Sequence, residues 1–268
     1  MQIAFIGGGV MAEAMLRRAI DAGIVAAPDV CVAEPIDERR KQVEETHGVK
    51  ATASNTEAVR GVAMVVLAVK PQVFDAVAAD LHGQLDGEQT VLSIMAGVPM
   101  RKIVDGLGHP NVIRVMPNTP AQIGAGMSVW TATESVSPQA RAAASSLLGV
   151  LGREWAVADE SFLDMATAVS GSGPAYVFAF IEALIAAGAS LGMPDDMAYT
   201  LAVETVAGAA KLAKDGGADP RLLRERVTSP GGTTAAGLKA MNEDGFQKTI
   251  QAAVDAAYRR AQELGGGA

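Results

Sequence analysis

The chain has 268 residues, which at roughly 150 residues per domain makes about 1.8 domains: one large domain, or a full domain plus a smaller one. Hydrophobic residues at 49% against 19% charged exclude a disordered chain, and a net charge of −8 with no block of like charge excludes an electrostatic nucleic-acid footprint. Any anionic ligand must be held by local features. A single cysteine, Cys31, cannot form an internal disulfide and suits a reducing, cytoplasmic compartment. The N-terminal segment lacks a basic leader and breaks its apolar run with three glycines, so it does not read as a signal peptide. The apolar stretch 175–191 is interrupted by Glu182 and falls short of the roughly 20 residues a membrane span needs, so no membrane partner is expected. The alanine-rich chain closes on a GGGA tail expected to fray.

From residue 2 to about 157, short β-branched runs alternate with helical patterns: 3–7, 30–34, 62–69, 90–95, 112–116, 127–132 and 154–157. Strands that are apolar almost throughout, separated by helices, predict a mostly parallel sheet covered on both faces. After Asp159 the strand signal gives way to helices at about 161–168, 173–191, 195–214, 219–227, 232–242 and 245–264. The expected fold class is therefore α/β, a Rossmann-type doubly wound N-terminal sheet with a C-terminal all-α domain. Its division is 1–158 for dinucleotide binding and 159–268 for the substrate and dimerisation.

Gly7, Gly8, Gly9, Val10, Met11 and Ala12 satisfy G-x-G-x-x-A directly after the first strand and before a helical pattern at 10–22. Gly7 permits the tight turn, Gly9 lets backbone approach a pyrophosphate, and Ala12 lets the helix pack on the strand. The anion sits at the helix N-terminus. The plain alternative is a glycine turn in an ordinary βα unit, which the context at the chain's start disfavours. Glu34 ends the second strand, where a carboxylate accepts hydrogen bonds from ribose hydroxyls and repels the additional phosphate of NADP. It favours NADH over NADPH, with Arg39 and Arg40 close enough to complicate the preference.

Further strand ends fall on the same sheet edge. Ala68-Val69-Lys70-Pro71 closes the run 62–69, and Pro71 turns the chain outward. Residues 54–59 form a capped helix start, and 93–98 end another strand. The turn 116–120, MPNTP, sets Asn118 and Thr119 between two prolines, either as a rigid structural turn or as an amide and hydroxyl offered to a ligand. In the helical part, 170–176 (SGSGPAY) reads as a capped helix start or as a small-residue surface for nicotinamide or substrate. The segment 227–234, VTSPGGTT, puts two glycines and hydroxyl residues before a helix, an anion nest without a lysine.

MPNTP, SGSGPAY and VTSPGGTT, in this order behind the N-terminal fingerprint, resemble the pyrroline-5-carboxylate reductase family over essentially the whole chain, VTSPGGTT being the most specific element. The resemblance implies NAD(P)H-dependent reduction of 1-pyrroline-5-carboxylate to L-proline, the final step of proline biosynthesis. It implies cofactor contacts at Gly7–Ala12, Glu34, Asn55, Ala68–Pro71 and Met95, Ala96 and Gly97. It also implies substrate contacts at Ser229, Gly231, Gly232, Thr233 and Thr234. Family members often carry a small polar residue or an Asn-Arg pair where this chain has Glu34-Pro35, a departure that bears on NADPH preference.

Reducing an imine needs a hydride donor facing the imine carbon and a proton for nitrogen, while a carboxylate can fix the ring's orientation. An iminium that enters already protonated removes the need for a strong acid. Backbone N–H groups of Gly232–Thr234 are expected to hold the carboxylate, and the Thr234 hydroxyl to bond the ring nitrogen and relay the proton. His47, His82 and His109 have no metal-ligand spacing and read as surface residues, so no metal is expected. A β-hydroxyacid dehydrogenase would share the domain plan, but Val177 stands where its catalytic lysine belongs. A nonenzymatic nucleotide sensor would not need the second anion nest.

The helix at 175–191 carries only Glu182 as a charge, and 198–210 only Glu204, so both must be covered on every side. About 110 residues offer too few layers for that within one chain, which predicts a homodimer or higher homo-oligomer. A bundle core internal to one chain is the alternative.

Overall fold

A computed structural model describes residues 1–266; the expected GGGA tail at 265–268 runs past the described residues. Eight strands form one sheet in the order β3-β2-β1-β4-β5-β6-β7-β8. They are β1 (Ile3–Ile6), β2 (Val30–Ala33), β3 (Lys50–Thr52), β4 (Met64–Leu67), β5 (Thr90–Ser93), β6 (Val112–Met116), β7 (Gly126–Ala132) and β8 (Gly152–Ala156). The first six run parallel, β7 is antiparallel to β6, and β8 is parallel to β7. Between them lie α1 (Val10–Asp21), α2 (Asp37–His47), α3 (Asn55–Ala58), α4 (Phe74–Leu81), α5 (Met100–Leu107) and α6 (Pro138–Gly149). The chain leaves β1 for β2 on one side and reaches β4 on the other, so the strand order reverses at the β1/β4 boundary. Ligands of such sheets bind outside the carboxyl ends of the strands at that point.

Both faces of the sheet are buried, as the uninterrupted apolar strands predict. Ile3, Phe5, Val32, Val66 and Leu92 belong to one core, while Ala4, Ile6, Val65, Leu67 and Val91 belong to the other. The alternation follows the two-residue period of a strand. β3 was not expected, because Lys-Ala-Thr is short and lacks a β-branched run. It forms because β2 supplies a neighbouring ladder, Cys31 to Ala33 pairing with Lys50 to Thr52.

The helical part follows the expected elements closely: α7 (Ser161–Ala166), α8 (Gly173–Ser190), α9 (Asp195–Gly216), α10 (Pro220–Arg226), α11 (Thr233–Glu243) and α12 (Phe246–Leu264). Between α7 and α8 the chain does not restart from a loop at Ser170, as a capped helix would. A π turn at Thr167–Gly171 carries the helix through, with the Ser172 N–H donating to the Thr167 carbonyl five residues back at 2.8 Å.

The chain separates into two compact units, residues 1–172 with 256–268, and residues 173–255. The boundary between the compact units falls after the π turn. Buried Arg114 on β6 keeps α7 in the first unit: it pairs with Glu160 at 2.7 Å and Asp164 at 2.9 Å, holding α7 to the sheet. Glu160 also accepts the Met100 N–H at 2.7 Å. The end of α12 belongs to the first unit as well, where a Cβ on Gly97 would stand 2.6 Å from Leu264 Cβ.

Within the second unit, Asp219 caps α10 by accepting the Arg221 N–H at 2.7 Å, and Pro220 occupies the first turn. Phe180 of α8 and Phe246 of α12 pack with ring centroids 6.4 Å apart.

Candidate functional site

The carboxyl ends of β1, β2 and β4 stand level, since Ile6 is opposite both Ala33 and Leu67. The three following segments are stitched together there: the Gly7 N–H donates to the Ala33 carbonyl at 2.8 Å, and the Ala68 N–H to the Ile6 carbonyl at 2.9 Å. Gly7 has φ +97°, and a Cβ on it would lie 2.8 Å from the Ala68 carbonyl oxygen. Both the conformation and the approach of Ala68 demand glycine. Gly9 caps α1 through backbone alone, and a Cβ placed on it would meet nothing within 4 Å. The first-turn N–H groups of α1 have no intrahelical acceptors and no side-chain cap, and the space beside Gly9 is open, a cradle that fits a pyrophosphate.

Glu34 is 9% exposed and lies directly beside this turn. Its Oε2 accepts the Gly8 N–H at 2.9 Å and its Oε1 accepts the Ile36 N–H at 3.1 Å. The carboxylate therefore ties the end of β2 to the fingerprint itself. Arg39 and Arg40 are turned to other acceptors. Arg39 donates to the Gly8 carbonyl at 2.7 Å and pairs with Glu13, while Arg40 donates to the Glu34 and Pro35 carbonyls and pairs with Asp37 at 3.0 Å. Glu13 also meets His47 Nε2 at 2.9 Å. The Arg39 hydrogen bond, and then the His47 one, hold the Glu13 carboxyl below its ordinary range against the opposing effect of burial.

The remaining expected cofactor residues occupy the same sheet edge in different ways. Asn55 opens α3 after β3, where Ser54 caps the helix, and its amide donates to Asp80 at 3.0 Å. Ala68 and Val69 are half-buried, Lys70 is exposed, and Pro71 begins a 3-10 turn. Met95 is 2% exposed with its side chain in the core, so it can offer only backbone, and Gly97 is buried beneath Leu264. Half-buried Ala96 stands between them.

The expected substrate residues lie in the second unit. Gly231 has φ +71°, and the Gly232 N–H donates to the Ser229 carbonyl at 3.1 Å, which closes the turn before α11. Gly232 caps α11 without a side-chain bond, and Ser229, Thr233 and Thr234 are exposed. The N–H groups of the first turn of this 11-residue helix have neither an intrahelical acceptor nor a side-chain cap, and three exposed hydroxyl residues stand beside them. An anionic group fits that arrangement.

Two sequence expectations about histidine need correction. His109 is buried and Nε2 meets the Gln89 carbonyl at 2.7 Å, while the His47 side chain is only 8% exposed on Glu13. Both are packed polar groups, because each finds a partner more than 15 residues away in sequence. His82, at an α4 end, meets the Gly106 carbonyl through Nδ1 at 3.0 Å. Among the described residues no cluster of three or more His, Cys, Asp or Glu could hold a metal ion. Sequence reasoning missed Arg114 with Glu160 and Asp164, and it missed the bond between Asn118 and Ser170, whose Nδ2 donates to the Ser170 carbonyl and Oγ, both at 3.2 Å.

Comparison with known proteins brings the two halves together. Residues 160–264 match the family model described as pyrroline-5-carboxylate reductase dimerisation, and residues 2–97 match one described as NADP oxidoreductase, coenzyme F420-dependent. A pyrroline-5-carboxylate reductase of Synechocystis is 44% identical over 265 residues, covering 99% of this chain and 98% of its own. The Pseudomonas aeruginosa protein of the same name is 39% identical, covering 98% and 96%. Among solved structures, a pyrroline-5-carboxylate reductase from Coxiella burnetii superposes with a TM-score of 0.90 at 34% identity, covering 98% of each chain. A Plasmodium falciparum pyrroline carboxylate reductase with NADP bound gives 0.90 at 28%, covering 99% and 98%. An NADH-preferring ketol-acid reductoisomerase at 18% identity and a TM-score of 0.67 shares the fold alone.

Proposed function

The chain belongs to the pyrroline-5-carboxylate reductase family, and from that premise we infer its reaction. It is an NAD(P)H-dependent oxidoreductase that reduces 1-pyrroline-5-carboxylate to L-proline, the last step of proline biosynthesis. The dehydrogenase and nucleotide-sensor alternatives are not favoured: Val177 on α8 supplies no acid or base, and a sensor has no use for the hydroxyl-lined turn before α11.

The observation that carries the assignment of roles is the presence of two helix N-termini built for anions, at α1 and α11, each capped by glycine backbone without a side-chain bond. A reduced nicotinamide supplies a hydride to the imine carbon. The α1 turn with Gly7–Ala12 holds the pyrophosphate, and Glu34, Asn55, Ala68–Pro71 and the Met95–Gly97 backbone line the rest of the cofactor's path. Ser229, Gly231, Gly232, Thr233 and Thr234 hold the substrate carboxylate, which orients the ring. The Thr234 hydroxyl hydrogen-bonds the ring nitrogen and relays its proton.

NADH is the preferred donor in this reading. Glu34 stands beside the ribose position of this reading, and both neighbouring arginines are engaged by other groups, leaving no cation against the carboxylate among the described residues. An added 2′-phosphate would meet that charge.

The protein is a homo-oligomer, and a dimer formed by the helical segment accounts for its apolar exposure: Phe178 on α8 is 58% exposed and Tyr199 on α9 equally so. Ser161–Ser190 is long and apolar enough to cross a membrane, but the dimerisation match covers all of it, and we assign its apolar surface to subunit contact. The functional division is 1–158 for the cofactor and 159–268 for substrate and assembly. The cytoplasm is the compartment in which we place the enzyme, in line with its lone thiol.

The direct test is oxidation of NADH, and separately NADPH, by purified protein with 1-pyrroline-5-carboxylate, with L-proline identified as product. Absence of turnover with both donors overturns the assignment.

A further inference from the structure

Helix geometry at SGSGPAY leaves one carbonyl without its ordinary partner. In an α-helix the Ser170 carbonyl would accept the N–H of residue 174, but that residue is Pro174, which has no N–H and whose ring crowds the carbonyl four residues before it. The π turn at Thr167–Gly171 relieves the crowding. Asn118 supplies the missing donor: its Nδ2 reaches both the Ser170 carbonyl and the Ser170 hydroxyl oxygen at 3.2 Å. Its Oδ1 is itself fixed by the Met127 N–H at 2.8 Å, so the amide orientation is set from β7. The Met116 methyl fills the space a Cβ on Gly171 would need, pressing the turn onto the end of β6.

The location gives this clamp its meaning. Glu34 puts the adenosine half of a dinucleotide on the β2 side of the β1/β4 boundary, so the nicotinamide half extends over the carboxyl ends of β5 and β6. Asn118 follows β6 directly, and half-buried Ser170 lies beside it.

We propose that Asn118 is a positioning residue for hydride transfer, holding the π turn Thr167–Gly171 against the nicotinamide side of the sheet edge through both oxygens of Ser170. This rests on the reductase reading above. Asn118 sets where the turn stands, and the turn forms a wall against which the reacting ring is aligned. Misplacement of such a wall lowers the frequency of productive geometry without removing any binding contact.

The test is Asn118→Asp at neutral pH. This variant keeps the oxygen that accepts from Met127 and replaces the donor with an oxygen that repels the Ser170 carbonyl. The expected result is a kcat lower by about 10-fold or more, with the NADH dissociation constant from fluorescence titration within about threefold of wild type. The isotope effect with NADH deuterated at the transferred position rises. In the ligand-free protein, hydrogen exchange at the Ser172 amide, which closes the π turn, speeds up by about 10-fold. A kcat within about twofold of wild type, an unchanged Ser172 exchange rate, or NADH binding weakened as much as kcat each overturns the inference. If Asn118→Asp does not fold, Ser170→Ala is measured: it loses only the hydroxyl contact, a kcat reduced about threefold or more supports the role, and an unchanged kcat overturns it. Wild-type protein without turnover sinks the reductase reading, whereas wild-type turnover with normal Asn118→Asp kinetics sinks only this inference.

Discussion

Glu34 Oε2 accepts the Gly8 N–H at 2.9 Å, so the carboxylate that follows β2 also anchors the glycine turn before α1. In the function proposed above, cofactor choice and the shape of that turn are coupled through this one carboxylate. Glu34→Gln keeps an oxygen for Gly8 and removes the charge. Removing a unit charge about 4 Å from a phosphate relieves roughly 1–4 kcal/mol of repulsion. The ratio of kcat/KM for NADPH to that for NADH is expected to rise by about 10-fold or more. Steady-state kinetics with both donors check this, and an unchanged ratio removes Glu34 as the determinant.

Thr234 lies in the first turn of α11, exposed beside the N–H groups assigned to the carboxylate. Thr234→Ala is expected to lower kcat/KM for the imine by about 10–100-fold, and Thr234→Ser to stay within about threefold. A rise in KM alone in the alanine variant would leave Thr234 as a binding residue and take away the proton relay.

Arg114 is 4% exposed between Glu160 and Asp164. Arg114→Met removes the cation and leaves two half-buried carboxylates facing each other's charge, which costs about 3 kcal/mol of stability. Urea denaturation followed by circular dichroism measures it. A loss below about 1 kcal/mol would mean that α7 is held to the sheet by packing alone.

Glu13 contributes a pH dependence whose direction follows from its partners. Its folded pKa lies below the ordinary carboxyl value of 4.5, chiefly through the Arg39 hydrogen bond. The stability it adds is therefore fully present above that ordinary value and is lost as pH falls through the lower folded value. Glu13→Gln should flatten the acid limb of a stability–pH curve below about pH 4.5. Identical acid limbs in the two proteins would refute the role.

Features whose cause lies within a few consecutive residues were readable from the sequence. The turn at Gly7–Ala12, the helix start at Thr233 and seven of the eight strands carry their signals in glycine placement and apolar runs. β3 escaped because its three residues become a strand only when β2 offers a ladder. Arg114 and Glu160 are 46 residues apart, and Asn118 and Ser170 are 52 apart, so no local pattern could pair them. His47 and His109 sit at a helix end and in a loop, where histidine reads as solvated, and only tertiary packing buries them. The attachment of α7 to the first unit was hidden for the same reason, since α7 looks like the start of a helical domain until the Arg114 pairs tie it to β6. Met95 was correctly placed at a strand end, but the side chain's direction into the core was hidden by an apolar run that buries both faces.

The contact between Gly97 and Leu264 joins positions 167 residues apart within one compact unit. During synthesis the whole sheet can emerge, and the helices of the second unit after it, before residue 264 leaves the ribosome. The last turn of α12 is thus a late fastener on the first-made half of the molecule. The Met95–Gly97 segment therefore reaches its covered form only after Leu264 has been made, long after its own strand.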